Sequence, residues 1–375
     1  MNCSFRREGT EIKGIIKKYF KYVLDVGFIV LVLFLTYRLL FKGQEISEIL
    51  KDIRHASPGW IVSGGAAVFF FIAGESCIIF YMLKVFRQKI RFLSCLKYSF
   101  IGFFFSYITP SSSGGQPAQM YYMKKDGVKI GFSTLVMLVI TIAYKAVLVL
   151  LGLVLFVVRN DTVAEYGDGL GFLLPLGAVL NVAFIGILAF VFFRPAYARR
   201  AGIKVVNALT GLVIRPENNE RYVSRITRIC DTYTMGATYV RENMHTVAVV
   251  FLMTVVQRLW LFSVTWIVYK AYGLSGVSFI DIVTMQVMIG VAVEMLPLPG
   301  AAGITEGCFI LAFTDIFGEE LIKPAMLISR GLTFYAVLIV GGIVTMIAHI
   351  MVIKSDKQIN APADKDTGGK EEITK

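Results

Sequence analysis

The sequence predicts an all-α polytopic membrane protein, with about six full transmembrane helices and two re-entrant helical hairpins in an inverted repeat. The chain has 375 residues and is 56% hydrophobic. Its mean hydropathy of +0.68 lies well above that of soluble domains. Several apolar runs reach about 20 residues, the length that crosses a bilayer as a helix. Two apolar runs end in breaks rich in Pro and Gly, a pattern that indicates a transport site when it occurs in both halves of a membrane chain.

The N-terminal segment is basic and precedes the first span. Residues 1–22 carry six cations against two acids, so we place them in the cytoplasm. Residues 23–41 form the first predicted span. No small-residue cleavage site follows this span, which favours an uncleaved anchor over a signal peptide.

The remaining spans and the topology follow from apolar runs and loop charge. Five more full spans are predicted, at residues 59–83, 130–158, 171–193, 246–269 and 325–353. Basic loops at 84–91, 124–129 and 194–245 belong in the cytoplasm with both termini, whereas the acidic loops at 159–169 and 318–324 belong outside. These assignments agree only if each broken segment enters and leaves the bilayer on one side. The first hairpin would open to the cytoplasm and the second to the outside.

The predicted domain organisation is one integral membrane domain over residues 23–353. Repeat 1 covers about 59–158 and repeat 2 about 246–353, and each contains a span, a short helix, a break, a short return, a polar loop and a long span. The basic cytoplasmic segment 194–245 contains either a surface amphipathic helix or a solvated linker helix. The polar tail 354–375 is predicted to be disordered.

Both breaks combine helix-breaking residues with hydrogen-bonding groups. Pro lacks an N–H and Gly is conformationally free, so neither continues a helix well. Non-helical backbone persists in a bilayer where protein covers it or where it lines a wet cavity. An alternative interpretation is a pair of ordinary loops. The candidate binding residues are Ser112, Ser113, Gly114, Gly115, Gln116 and Gln119 in the first break, and Pro299, Gly300, Gly303, Thr305 and Glu306 in the second.

Ionisable residues inside apolar segments are costly and usually functional. Here they are Glu75, Lys145, Arg258, Glu294, Glu306 and Arg330. Two structural alternatives stay open: Arg330 can extend to the interface, and the acids can serve only to neutralise the cations. Buried cations, hydroxyls and free N–H groups at helix starts favour an anion, and carboxylates suit an ammonium or hydroxylated group. A phospholipid head group has these features.

Several other function classes are not expected. The five cysteines are scattered and the three histidines isolated, so we predict no metal, cofactor or disulfide framework. The chain has no Walker motif for ATP hydrolysis. We attribute the net charge of +12 to cytoplasmic loops that face anionic lipids, and we expect no nucleic acid partner.

Two motifs carry a resemblance to a known family. Ser-Ser-Gly-Gly-Gln-Pro at 112–117 and Pro-Leu-Pro-Gly, followed by Gly-Ile-Thr-Glu-Gly, within 297–307 resemble the flippase-like membrane family named after the lysylphosphatidylglycerol synthase transmembrane region. The resemblance covers about residues 20–350. It implies a domain that binds or moves lipids, typically aminoacylated phosphatidylglycerol, across a prokaryotic inner membrane. Full-length relatives add a soluble aminoacyltransferase domain. Only 22 residues follow the last predicted span here, so we expect no lysyl transfer by this chain itself.

The leading functional prediction is an inner-membrane lipid translocase that binds an anionic or aminoacylated head group between the two hairpins. The alternatives are a phosphatidylglycerol lysyltransferase, by family name or with a partner synthase, and a small-solute secondary transporter. Expected partners are membrane phospholipid, a possible second copy of the chain and a possible separate lipid-modifying synthase. We expect the breaks to form one site near the bilayer midplane, with Lys145, Arg258 and Arg330 around it.

Overall fold

A computed structural model describes residues 55–209 and 219–359 of the protein. Within these ranges the chain is almost entirely helical and contains no β-strand. The predicted N-terminal segment 1–22, the predicted span 23–41 and residues 360–375 of the predicted tail lie outside the described residues.

The first repeat contains four helices and one tight turn. Pro58 begins the first helix, a position where its missing N–H is not needed. Pro110 opens the turn that separates the two short helices of the hairpin. The elements are α1 (Pro58–Val85), α2 (Phe92–Ile108), the 3₁₀ turn Pro110–Ser112, hereafter the first turn, α3 (Gly115–Lys125) and α4 (Ile130–Val158).

The segment between the repeats is more helical than predicted. The predicted outer loop contains α5 (Asn160–Tyr166) and a 3₁₀ turn, and α6 (Leu173–Phe193) follows. The basic segment forms α7 (Pro195–Leu209) and α8 (Asn219–Glu242). Helix α8 packs against α4 and buries Tyr233, Ala237 and Val240 in the same apolar cluster as α4, so this helix is attached to the membrane domain.

The second repeat has the same order of elements. They are α9 (Met244–Ala271), α10 (Phe279–Val293), the 3₁₀ turn Pro299–Ala301, hereafter the second turn, α11 (Ile304–Phe317), α12 (Ile322–Arg330), a π-helical segment (Gly331–Tyr335) and α13 (Ala336–Ile359). The last span starts before the predicted residue 325, because Pro324 fits the first turn of a helix. It continues to Ile359, since no Pro or Gly interrupts residues 354–359.

Six helical segments of the described chain are long and apolar enough to cross a membrane. Five coincide with predicted spans: Pro58–Val85, Ile130–Val158, Leu173–Phe193, Met244–Ala271 and Ile322–Val352. The sixth, Pro299–Phe317, joins the second turn to α11. Helix α11 alone has 14 residues, about 21 Å of helix, which is shorter than a bilayer core of about 30 Å.

The helix contacts follow the pattern that a pseudo-twofold repeat requires. Corresponding elements meet each other: α1 packs on α9, and the first turn contacts the second. Helix α2 of the first repeat corresponds to α10 of the second, and α4 corresponds to α13. Helix α2 packs on α13, and in the symmetry-related contact α10 packs on α4. The two halves therefore interlock through their hairpins.

Each short helix pair forms a hairpin whose two ends lie together. In the first hairpin Lys97, near the start of α2, donates to Asp126, just after α3. In the second hairpin, α10 contacts α5, and α11 contacts both α5 and the 3₁₀ turn that follows α5. Asp281 on α10 forms an ion pair with Arg159, which precedes α5. That these hairpins are re-entrant in a bilayer stays a prediction.

The re-entrant arrangement has a direct test in cysteine accessibility. In a cysteine-free background, single cysteines replacing Lys89 and Lys124 should react from one side of the membrane only, and those replacing Asp168 and Glu320 from the other. All four side chains are exposed in the structure. A membrane-impermeant thiol reagent, added to sealed cells before and after permeabilisation, measures the side. Labelling of the Lys124 and Glu320 positions from the same side would contradict the opposed hairpins.

Candidate functional site

We use the term charged layer for the six ionisable residues, of which Glu75, Lys145 and Arg258 lie between two apolar clusters. On α1, Phe71 belongs to one cluster and Ile78 to the other, with Glu75 between them. The same order flanks Lys145 and Arg258 on α4 and α9. The flanking pairs are Ile140 and Leu148 on α4, and Val250 and Phe262 on α9. The clusters therefore isolate these charges at mid-depth from both ends of the bundle.

Glu294, at the end of α10, joins two of the buried cations. Arg258 on α9 donates from Nη2 to both Glu294 carboxylate oxygens at 3.1 and 3.0 Å. The Nζ atom of Lys145 on α4 lies 3.6 Å from Glu294 Oε1. Arg258 is 2% exposed and Lys145 8%, whereas the Glu294 side chain keeps 24% of its surface exposed. Glu294 therefore has the most exposed side chain of this group.

Arg258 has further contacts that fix its guanidinium. Its Cζ lies 3.4 Å from the ring centroid of Tyr144, a cation–π contact, and Nη2 lies 3.4 Å from the Tyr144 carbonyl oxygen. Arg258 Nε and the neighbouring Gln257 Nε2 are buried and have no hydrogen-bond partner among the described residues. Buried donors without a partner are costly, so these two atoms are suited to an oxygen acceptor.

The third cation, Arg330, closes the second turn. Its Nε donates to Glu306 Oε1 at 2.8 Å and its Nη2 to the Gly300 carbonyl at 3.3 Å. The other Glu306 oxygen accepts the Gly303 N–H at 2.7 Å, which caps α11. Glu306 is 1% exposed. Both carboxylate oxygens are therefore occupied by the protein.

The second turn also requires glycine at particular positions. Gly300 and Gly303 have φ values of 55° and 85°, in the left-handed region that favours glycine. A Cβ atom on Gly300 would lie 2.2 Å from Phe334 in the π-helical segment. Pro299 is buried, and the Thr305 hydroxyl donates to the Ala301 carbonyl at 2.8 Å.

The first turn is held by hydroxyl groups. Thr109 Oγ1 donates to the Phe105 carbonyl at 2.6 Å and accepts the Gly114 N–H at 2.8 Å. Ser112 has a φ of 55°, and its carbonyl accepts from Ser106 Oγ at 3.5 Å. Ser113 is exposed. Gly115 is buried, and a Cβ there would lie 2.7 Å from the Gly102 carbonyl oxygen. Its bare Cα therefore allows α3 to approach α2 closely.

Two glutamines of α3 face different helices. Gln119 is 3% exposed and donates from Nε2 to Glu75 Oε1 on α1 at 2.6 Å. It reaches Glu75 across Gly102, where a Cβ would lie 2.2 Å from Gln119 Nε2. Gln116 is half-buried and lies 3.5 Å from Thr141 Oγ1 on α4. Gln119, Glu75 and Gly102 thus tie the hairpin to α1.

The structure brings most of the predicted residues into one region. The first and second turns contact each other, with Cα atoms within 8 Å. Arg330 Cζ lies 4.5 Å from the ring centroid of Phe334, whose ring in turn lies 4.9 Å from that of Tyr107 at the end of α2. Arg330 and these two rings therefore lie beside the second turn. Glu306 and Thr305 are directed into the second turn itself.

Sequence reasoning missed two tyrosines and the π-helical segment. Tyr107 donates to the Thr333 carbonyl at 2.9 Å and stacks on Phe334, and Tyr144 lies under Arg258. A tyrosine in an apolar run gives no strong signal, because its ring suits the hydrophobic core. Gly331 directly after Arg330 was the available signal for a helix irregularity. Such π segments occur often at functional sites.

The fold and the site define a polytopic helical membrane protein in which two interlocked, broken hairpins meet at a buried charged layer. Residues 22–341 match the family described as "Lysylphosphatidylglycerol synthase TM region", and the chain belongs to that family. It is also similar to a UPF0104 membrane protein of Archaeoglobus fulgidus, with 22% identity over 260 residues, which cover 68% of this chain and 76% of that protein. The family resemblance of the two motifs is thereby confirmed.

The Glu294 group generates a prediction about stability. Glu294→Gln should leave two buried cations without their shared counter-charge, and breaking a buried pair in this way costs about 3–5 kcal/mol. Thermal unfolding of the purified protein in detergent should show a clear decrease in midpoint. Adding Lys145→Met should recover part of the loss, whereas Glu320→Gln, at an exposed position, should leave the midpoint unchanged. An unchanged midpoint for Glu294→Gln would contradict a structural role for this carboxylate.

Proposed function

We propose that this protein is a lipid translocase that moves a phospholipid with an anionic or aminoacylated head group across a membrane. The observation that carries the proposal is the contact between the two turns, of which the second is closed by Arg330, together with the ion pairs of Glu294 with Lys145 and Arg258. Broken helices that meet at mid-depth near buried charges are the arrangement by which inverted-repeat transporters bind a substrate between two openings.

The charged layer supplies groups suited to the phosphate of a head group. Arg258 and Lys145 present positive charge from two helices, and Arg258 Nε and Gln257 Nε2 remain without acceptors among the described residues. Their counter-charge, Glu294, is partly exposed. A phosphate oxygen that took the place of Glu294 beside Lys145 and Arg258 would find donors in a low-dielectric setting, where charge-assisted hydrogen bonds are strong.

An open apolar groove, lined by residues that flank Arg330 in the sequence, supports a lipid over a soluble solute. It has a volume of about 260 Å³ and is lined by Ile61, Leu327, Ile328, Gly331 and Leu332. Three of these residues lie within two positions of Arg330 in the sequence. A head group near Arg330 would thus have apolar space beside it for the start of an acyl chain, which a small polar solute does not need.

The cellular setting belongs to the same proposal. We assign the protein to the cytoplasmic membrane of a prokaryote, with both termini in the cytoplasm, because the basic segments 84–91, 124–129 and 194–245 then share the cytoplasmic side. If the lipid is aminoacylated, a separate lipid-modifying synthase would supply it.

Translocation in reconstituted vesicles tests the function. The full chain is placed in phosphatidylcholine vesicles that contain a trace of acyl-labelled phosphatidylglycerol, and exposure of the label to an external quencher is followed over time. Lys145→Met should slow the movement roughly tenfold or more, since losing a hydrogen bond to a charged group costs about 1.5–3 kcal/mol. Arg258 still neutralises Glu294 in this variant, so the fold should persist.

The matched control is Lys97→Met. Lys97 is also ion-paired, with Asp126, but it lies at the open end of the first hairpin. This variant should move lipid at the wild-type rate. Uptake of glycerol phosphate by the same vesicles without lipid movement would replace the proposal with a small-solute transporter. Equal slowing in both variants would show that Lys145 acts through stability alone.

A further inference from the structure

Glu75 is the acid of the charged layer that has no cationic partner. It lies in the middle of α1, and no Lys or Arg nitrogen of the described chain lies within 4.0 Å of its carboxylate, whereas Glu294 and Glu306 both have ion pairs. Its side chain is half-buried and accepts one hydrogen bond, from Gln119. A carboxylate in this position is costly when charged and unpaired.

The surroundings of Glu75 belong to the same group as the head-group donors. Gly74, the residue before Glu75, packs against Gln257 of α9, because a Cβ on Gly74 would lie 3.0 Å from Gln257 Cγ. The elements packed against α1 carry these titratable or charged groups: Tyr107 on α2, Tyr144 and Lys145 on α4, and Arg258 on α9. Gln119 on α3 donates to the Glu75 carboxylate.

The charges of the layer balance when every group is ionised. Its cations and carboxylates are Lys145, Arg258 and Arg330, and Glu75, Glu294 and Glu306. Three positive and three negative charges leave a net charge of zero, which offers no overall attraction to a monoanionic head group. One added proton changes the net charge to +1, which complements one phosphodiester charge.

We infer that Glu75 is a proton-binding site, and that its protonation is linked to the binding of a monoanionic phospholipid head group in the charged layer. The carboxylate takes one proton from water to become a carboxylic acid, and no other bond changes. This inference rests on the proposed function and adds its coupling ion. Because linkage is reciprocal, binding of the anionic lipid draws a proton onto Glu75 to the same degree.

The geometry favours a proton over a metal cation. A sodium or other hard cation needs several oxygen ligands, commonly carboxylates and carbonyls. Nowhere in the described ranges do three or more acidic, His or Cys side chains gather in a way that would hold a metal ion. Among the described residues, the hydrogen bond that Glu75 accepts comes from the Gln119 amide nitrogen, a donor that repels a cation.

Calorimetry measures the linkage directly. The full-length protein in detergent is titrated with short-chain phosphatidylglycerol in two buffers that differ in ionisation enthalpy, so that the difference in heat gives the protons taken up per lipid bound. Wild type should take up a fraction of a proton that approaches one at higher pH. In that range the affinity of the wild-type protein for the lipid should fall by up to about tenfold for each unit by which the pH rises. This is the limit for one linked proton.

Two variants complete the experiment. Glu75→Gln keeps the shape of the protonated acid, so it should bind the lipid without proton uptake and with an affinity independent of pH. Glu320→Gln, which removes an exposed acid at the end of α11, should retain wild-type proton uptake.

The outcomes separate this inference from the function on which it rests. If wild type binds phosphatidylglycerol without proton uptake, the role of Glu75 is overturned but the head-group site stays in place. This measurement needs only the wild-type protein, so it decides the question even if Glu75→Gln fails to fold. Unchanged proton uptake in Glu75→Gln also overturns it. If the affinity for the lipid depends on sodium and Glu75→Gln abolishes this dependence, the coupling ion is a metal cation. That outcome overturns the inference that Glu75 binds a proton. Failure of wild type to bind any phosphatidylglycerol overturns the proposed head-group site itself.

Discussion

The need to neutralise charge inside an apolar bundle is the constraint on which this structure depends. Glu294 satisfies it for two cations at once, and because those cations come from α4 and α9, the carboxylate fixes three helices relative to one another. The interaction belongs to the strong, charge-assisted kind, and its loss would leave uncompensated charge in a medium that cannot solvate it. The position of the hairpins therefore follows from electrostatics as much as from apolar packing.

The two turns look alike in sequence but are stabilised differently. The second turn is closed by an ion pair, a carboxylate cap and two glycines in the left-handed region. The first is held mainly by the Thr109 hydroxyl, with one long contact from Ser106. Neutral hydrogen bonds stabilise less than charged ones. The pseudo-twofold pattern of contacts thus contains a clear energetic asymmetry, with the first turn the more weakly held of the two.

The sequence predicted the elements well because apolar runs, Pro and Gly act locally. Five predicted spans correspond to helices, and Pro110 and Pro299 open the two turns. Partners could not be predicted, because they depend on how distant segments pack. Lys145 and Glu294 are far apart in sequence, and the contact between Gln119 and Glu75 depends on the bare Cα of Gly102. The sequence alone does not show whether a glycine such as Gly115 allows close helix packing or lines an open site. The distinction requires the positions of the neighbouring helices.

The pairing of Lys145 with Glu294 also has a consequence for biosynthesis. Lys145 lies on α4 in the first half, and its counter-charge lies on α10 in the second. As the chain emerges from the ribosome, the first half must enter the bilayer with Lys145 unneutralised until α10 is made. The ion pair of Lys145 with Glu294 can therefore form only after translation has passed Glu294. A nascent chain arrested before that residue would retain an exposed cation in its fourth described helix, a feature that membrane quality control can recognise.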